Sequence, residues 1–247
     1  MIEMRDVHKQ FGGNRVLRGI DLKVPRGKTL VVLGLSGSGK SVLMKHLIGL
    51  VRPDRGSIII DGEDISGLAG GELLRVRRKF GMVFQQAALF DSMSVGDNVA
   101  FPLRAHTRLD AGAIRNRVGE KLEALGLGAV VDKFPADLSG GMRKRVGLAR
   151  ALILDAQIIL YDEPTTGLDP VTTETVDTMI LDAQKNYHVT QVVISHDVGS
   201  ALKVAAGGHV AVIDRGVIVA TCPPAELGDH PHPFVRRYLE AWRGKQP

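Results

Sequence analysis

The eight residues Gly34-Leu35-Ser36-Gly37-Ser38-Gly39-Lys40-Ser41 combine glycines, an ammonium and a hydroxyl at a spacing suited to a polyphosphate. Glycines let successive backbone N–H groups turn inward around phosphate oxygens, and a helix starting where the loop ends adds its dipole. Lys40 then reaches the outer phosphates and Ser41 offers its hydroxyl to Mg²⁺. A second grouping, Asp162-Glu163, ends the apolar run Ile158-Ile159-Leu160-Tyr161. Such a strand delivers both carboxylates to its C-terminal end, the edge at which open α/β sheets bind ligands. Asp162 is expected to hold Mg²⁺, directly or through water, and Glu163 to act as general base on an attacking water. The third grouping is Leu138-Ser139-Gly140-Gly141-Met142. Ser139 suits a helix N-cap, and Gly140 and Gly141 allow close backbone approach to an anion.

The elements that position these groups follow from hydrophobic pattern and turn residues. Ile2–Val7, Val16–Val24 and Lys28–Leu33 read as strands, with a Gly12-Gly13-Asn14 turn between the first two. Leu30–Leu33 is continuously apolar, as a buried parallel strand should be, and the glycine-rich loop follows at once. Ser41–Leu50 has Val42, Leu43, His46 and Leu47 at helical spacing. Ser57–Asp61 and Gly81–Gln85 read as strands, the latter ending in glutamine. Asp110–Leu127 and Ser139–Leu154 read as helices, and residues 87–155 hold no comparable strand. This stretch reads as a helical subdomain inserted into an α/β core, which resumes with Ile158–Asp162, Gln191–Ser195 and Val210–Asp214. Pro233–Arg243 reads as one amphipathic helix. The expected division is a single domain over 1–247, with the core at about 1–86 and 156–225, the helical part at about 87–155 and a C-terminal helix at about 229–243.

Composition narrows the function classes. The chain has 247 residues, 44% hydrophobic and 24% charged, enough for one large core. Aromatics are 4%, which argues against stacking-based single-strand binding, and no DNA-reading motif accompanies the net charge of +5. No nucleic-acid partner is expected. Basic clusters at Arg75–Lys79, Arg143–Arg145 and Arg236-Arg237 are either solvated surface or groups facing an anionic leaflet. The single cysteine, Cys222, cannot form an internal disulfide, which points to a reducing compartment. The apolar runs are far shorter than the ~20 residues of a membrane span, and Met1–Gln10 does not read as a signal peptide. A cytoplasmic location is expected.

The three groupings, in this order, resemble those of the ATP-binding-cassette (ABC) ATPases. The resemblance covers essentially residues 1–225. It implies an α/β P-loop NTPase with a RecA-like core, an N-terminal antiparallel β subdomain and an inserted helical subdomain. It implies ATP and Mg²⁺ as cofactors, and a homodimer in which Ser139-Gly140-Gly141 of one copy meets the γ-phosphate held by the other. Gly34, Ser36–Ser41 and Val42 match the nucleotide-binding loop and its helix. Gln85, after Val83-Phe84, matches a glutamine that touches Mg²⁺ and the water and senses the membrane partner. Thr166-Gly167-Leu168-Asp169 matches the loop joining the protomers, His196 the histidine that senses γ-phosphate, and Phe11 the aromatic that stacks on adenine. Met142 stands where glutamine is common and Gly167 where alanine is common; neither removes a catalytic group.

One branch is matched more closely. Ala87–Val95, the stretch Phe101-Pro102-Leu103-Arg104-Ala105-His106-Thr107, the run Leu138–Val146 and the ending Pro231–Leu239 resemble the ATPase of Mla/MCE-type phospholipid transporters. That branch implies a separate integral-membrane permease, a periplasmic MCE-domain ring, often a small STAS-domain protein, and a place on the cytoplasmic face of the bacterial inner membrane. Leu89, Phe90 and Met93 either line a groove receiving the permease or pack the helical subdomain. Little chain remains after Leu239, so no long C-terminal extension gripping the other copy is expected. The competing expectation is the ATPase of a polar-solute importer, for amino acids for example. A soluble ABC protein of translation or DNA repair fits less well, because the chain has one cassette and no heptad run.

Overall fold

A computed structural model describes residues 1–244. Its centre is a six-stranded sheet in the order β10-β9-β3-β8-β7-β6. The strands are β3 (Thr29–Leu33), β6 (Phe80–Val83), β7 (Ile158–Asp162), β8 (Thr190–Ser195), β9 (His209–Asp214) and β10 (Val217–Cys222). Five run parallel, and β10 closes the edge antiparallel to β9. All five residues of β3 are buried because both faces of the sheet are covered. A second, antiparallel sheet in the order β2-β1-β4-β5 is built from β1 (Ile2–Phe11), β2 (Asn14–Val24), β4 (Arg55–Ile60) and β5 (Glu63–Asp64).

Side-chain alternation along the central strands separates two cores. Leu30, Val32, Leu160, Ile194 and Ile213 face the antiparallel sheet, meeting Ile2, Met4, Ile20 and Ile60 together with Leu43 and Leu47 of α1 (Lys40–Leu47). Val31, Leu33, Tyr161, Val193 and Val212 face the opposite layer of α5 (Gly140–Leu152), α6 (Pro170–Tyr187), α7 (Val198–Val204) and α8 (Pro233–Arg243). A third core lies among α3 (Val95–His106), α4 (Ala111–Ala124) and α5, where Val99, Leu103, Val118, Leu122 and Val146 are buried. This is the inserted helical part, and α5 belongs to both it and the central sheet. The remaining helix, α2 (Gly70–Arg77), follows β5.

Several boundaries differ from the sequence reading. The helix expected over Ser41–Leu50 stops at Leu47, because Gly49 takes the left-handed conformation (φ 63°) and its N–H closes back on the His46 carbonyl. The strand expected to end at Gln85 ends at Val83, which leaves Gln85 in a turn. Helices α2 and α3 were not anticipated: Gly70-Gly71 obscures the start of one and Pro102 interrupts the pattern of the other. The basic cluster Arg143–Arg145 is not a free cationic patch, since its three side chains donate to the carbonyls of Leu138, Gln85 and Leu125.

Candidate active site

The C-terminal ends of four neighbouring strands converge at one edge of the central sheet. β3 leads into the glycine-rich loop, β6 to Gln85, β7 to Asp162-Glu163 and β8 to His196. Lys40, Gln85, Glu163 and His196 therefore line one cavity of about 930 Å³, together with Ser36, Gly37, Gly39, Ser41 and Val42. Val16 of β2, Thr166, and Tyr238 and Trp242 of α8 complete its walls.

The loop conformation depends on Gly34, where a Cβ would lie 2.5 Å from the Ile213 carbonyl oxygen and 2.8 Å from Ser38 Oγ. Only a residue without a side chain lets β9 approach this closely. Lys40 is 7% exposed. Its Nζ donates to the carbonyls of Gly34 (2.7 Å) and Leu35 (3.1 Å) and lies 3.6 Å from Glu163 Oε1. The buried Ser38 hydroxyl has no hydrogen-bond partner. A loop with an orphaned donor and a cation folded onto its own carbonyls fits a phosphate, which accepts from both.

Glu163 has a left-handed backbone, φ 51°, unusual for a residue with a side chain. Its N–H donates to the Ile194 carbonyl at 2.9 Å, tying the turn to β8. Its carboxylate accepts from Thr166 Oγ1 at 2.8 Å and from His196 Nδ1 at 2.5 Å. His196 is held in turn at its own carbonyl by the Tyr238 hydroxyl at 3.0 Å. Burial, reinforced by the Glu163 and Asp197 carboxylates, pushes the Tyr238 phenol up to about 12, so it remains a donor at neutral pH. Burial first, then the neighbouring Glu163 charge, raises the Asp162 pKa above its ordinary value. A divalent cation would reverse that penalty. Ser41 lines the cavity and Asp162, at the end of β7, does not; with phosphate oxygens the two would supply the oxygen donors that Mg²⁺ prefers.

Not every expected residue reaches this cavity. Phe11, at the end of β1, is 47% exposed and outside the cavity lining, with the Lys9 ammonium 5.4 Å from its ring centroid. Asp169 caps α6 by accepting from the Thr172 N–H at 3.0 Å. Ser139 caps α5, accepting from the Met142 N–H at 3.3 Å, and neither it, Gly140 nor Gly141 lines the cavity. One copy thus holds the phosphate loop and Ser139–Gly141 at separate places on its surface.

The family model described as ABC transporter matches residues 17–166, more than half of the chain. The chain belongs to the ABC transporter family as an ATP-binding subunit. It is 46% identical over 242 residues to the "probable ribonucleotide transport ATP-binding protein mkl" of Mycobacterium leprae, spanning 98% of this chain and 69% of that one. It is 40% identical over 240 residues to the "intermembrane phospholipid transport system ATP-binding protein MlaF" of Escherichia coli K12, spanning 97% and 88%. Among solved structures, a dimeric post-hydrolysis state of the cassette MJ0796 bound to ADP and Pi superposes with TM-score 0.79 at 30% identity, covering 91% of this chain and 99% of that one. The cbiO1 cassette of Clostridium perfringens superposes with TM-score 0.85 at 27% identity, covering 98% and 96%. The present ABC cassette therefore binds and hydrolyses ATP as part of a transporter. None of its described helices is long and apolar enough to cross a membrane.

Three contributors to the cavity have no sequence signal for that place. Thr166 is three residues after Glu163, a spacing that lets its hydroxyl turn back, but nothing in the pattern demands it. Tyr238 and Trp242 arrive with α8, from the far end of the chain.

Proposed function

We propose that this cassette is the ATP-hydrolysing motor of an Mla/MCE-type phospholipid transporter, working as a homodimer on the cytoplasmic face of a bacterial inner membrane. Similarity to the E. coli intermembrane phospholipid transport ATPase across nearly the whole of both chains carries this reading. Of the segments that resemble this branch, Phe101–His106 forms the end of α3, with Thr107 as its C-cap. Phe101, Pro102 and His106 border an apolar groove of about 450 Å³ with Phe84, Phe90 and Leu74. This groove is the proposed seat of the permease; of the three residues expected at it, Phe90 borders it and Leu89 packs against the helical core. The mycobacterial relative's name, ribonucleotide transport, supports a second reading in which the cargo is a polar solute.

In the proposed reaction the loop N–H groups and the Ser38 hydroxyl hold the phosphates, and Lys40 leaves the Gly34 and Leu35 carbonyls for the β/γ-phosphate oxygens. Ser41, Asp162 and Gln85 are the residues that would hold Mg²⁺, which supplies charge neutralisation along the phosphates. Glu163, fixed by Thr166 and His196, takes a proton from the attacking water. The water oxygen bonds to the γ-phosphorus as the bond to the ADP oxygen breaks, releasing ADP and phosphate. His196 donates to the γ-phosphate side of the site, and Phe11 offers its exposed ring to adenine. Ser139-Gly140-Gly141 of a second copy closes over the γ-phosphate, with its α5 N-terminus toward the anion, and Thr166–Asp169 lies along the join.

The test is a pull-down of the chain from detergent-solubilised membranes with mass spectrometry of proteins and lipids. Recovery of a permease, an MCE-domain protein and phospholipid is expected, with a small STAS-domain protein as a further subunit. A solute-binding protein with a different permease would leave the ATPase intact and overturn the phospholipid assignment.

A further inference from the structure

Lys144 is buried in the middle of α5, 3% exposed, yet among the described residues it has no carboxylate partner. Burial alone pushes its pKa down to about 8. An ammonium placed there must recover its lost hydration from nearby acceptors. The acceptors are backbone carbonyls: Nζ donates to Gln85 O and, at 3.5 Å, to Phe84 O. Six residues further along the same helix, roughly 9 Å at the helical rise, Arg150 donates to Ala87 O and Ala88 O, both at 2.8 Å. Ala87 and Ala88 hold left-handed backbones (φ 59° and 47°), and the Ala87 N–H closes on Phe84 O at 2.9 Å. Four carbonyls of the turn 84–88 are thus aimed at two cations of one helix. The Arg150 guanidinium also lies 5.9 Å from the Phe90 ring centroid and borders the groove. Gln85 borders the nucleotide cavity.

We propose that Lys144 and Arg150 are positioning residues that clamp the Gln85 turn to α5. The inference rests on the reading of Gln85 given above. The clamp makes Gln85 travel with the helix that begins at Ser139 and ends at the groove. A shift of α5, whether imposed from the groove or by closure of Ser139–Gly141 on a second copy, then moves the glutamine in or out of the cavity. Neither cation touches nucleotide; each acts only through the turn it holds.

The experiment is a double-mutant cycle on the full chain in the membrane complex it purifies with, using Lys144→Met, Gln85→Ala and the pair. Expected is a fall in kcat of about tenfold or more for each single variant, with KM for ATP within about twofold. The pair should lose no more than the weaker-turnover single variant, because both changes remove one function. Exchange of the Ala87 amide should also quicken in Lys144→Met. If Lys144→Met does not fold, Arg150→Met, at a less buried position, takes its place in the same cycle. Losses that multiply in the pair, or full turnover in Lys144→Met beside an impaired Gln85→Ala, overturn the clamp alone. Full turnover in Gln85→Ala overturns the role of Gln85 and the clamp with it.

Discussion

Glu163 combines a left-handed backbone with a carboxylate already bonded to Thr166 and His196. Strain of that kind persists where surrounding contacts over-determine it, and here they hold the carboxylate proposed as general base in one place. Glu163→Gln should keep ATP binding and lower turnover by about 10²–10⁴. Equilibrium nucleotide binding and single-turnover rates check this, and wild-type turnover would remove Glu163 from the role. Asp162 behaves differently. Its raised pKa means the fold disfavours the ionised form, so the cost is absent at pH below the ordinary carboxylate value, grows between that value and the raised one, and is fully present above it. Asp162→Asn should therefore melt higher than wild type near neutrality without nucleotide, with the difference vanishing in acid. The same variant should lose the extra stabilisation given by Mg-ATP. Thermal melts across pH, with and without Mg-ATP, measure both effects. Lys40 and Glu163 could be placed at the site from the sequence because the chemistry proposed for them requires those residue types at those spacings. Tyr238 could not be, because its hydroxyl serves a carbonyl 42 positions away and any donor at that place in space would do.

At the scale of elements, α5 does three things along one length: its N-terminus presents Ser139–Gly141, its middle holds the Gln85 turn, and its inner face packs on β6 and β7. Its seat on β6 is close enough that a Cβ at Gly81 would stand 2.4 Å from the Ala151 carbonyl oxygen. Gly81→Ala should therefore push β6 from α5 and destabilise the chain by about 1–3 kcal/mol, as overpacking does. An unchanged urea midpoint would show that the two elements yield without cost. Strands β3 and β7 were readable as buried because an apolar run covered on both faces has few alternatives. β10 and α2 were not, since a short edge strand is exposed on one side and a helix starting at Gly70-Gly71 lacks a start signal. The Arg143–Arg145 cluster shows the same limit. Charge in sequence suggested surface, whereas the backbone of three other segments claims each side chain.

In the whole molecule the phosphate loop and Ser139–Gly141 occupy different places, as the proposed two-copy site would need. Lys40→Ala and Ser139→Arg chains should each be inactive alone, for opposite reasons. Mixed in equal amounts, they should recover about a quarter of wild-type turnover, because half the dimers then hold one intact composite site of two. No recovery in the mixture would mean that each chain works by itself. The amino-acid sequence alone determined the phosphate loop, the carboxylate strand, the helix cap and the family, because each is a local pattern whose chemistry restricts residue type and spacing. The tertiary structure alone decided that β3, β8, β7 and β6 bring Lys40, His196, Glu163 and Gln85 to one edge in that order, that α8 closes the cavity, and that Lys144 faces Gln85. Those are contacts between segments far apart in the chain. They are set by strand order and by burial on the two faces of the sheet, which no local spacing encodes.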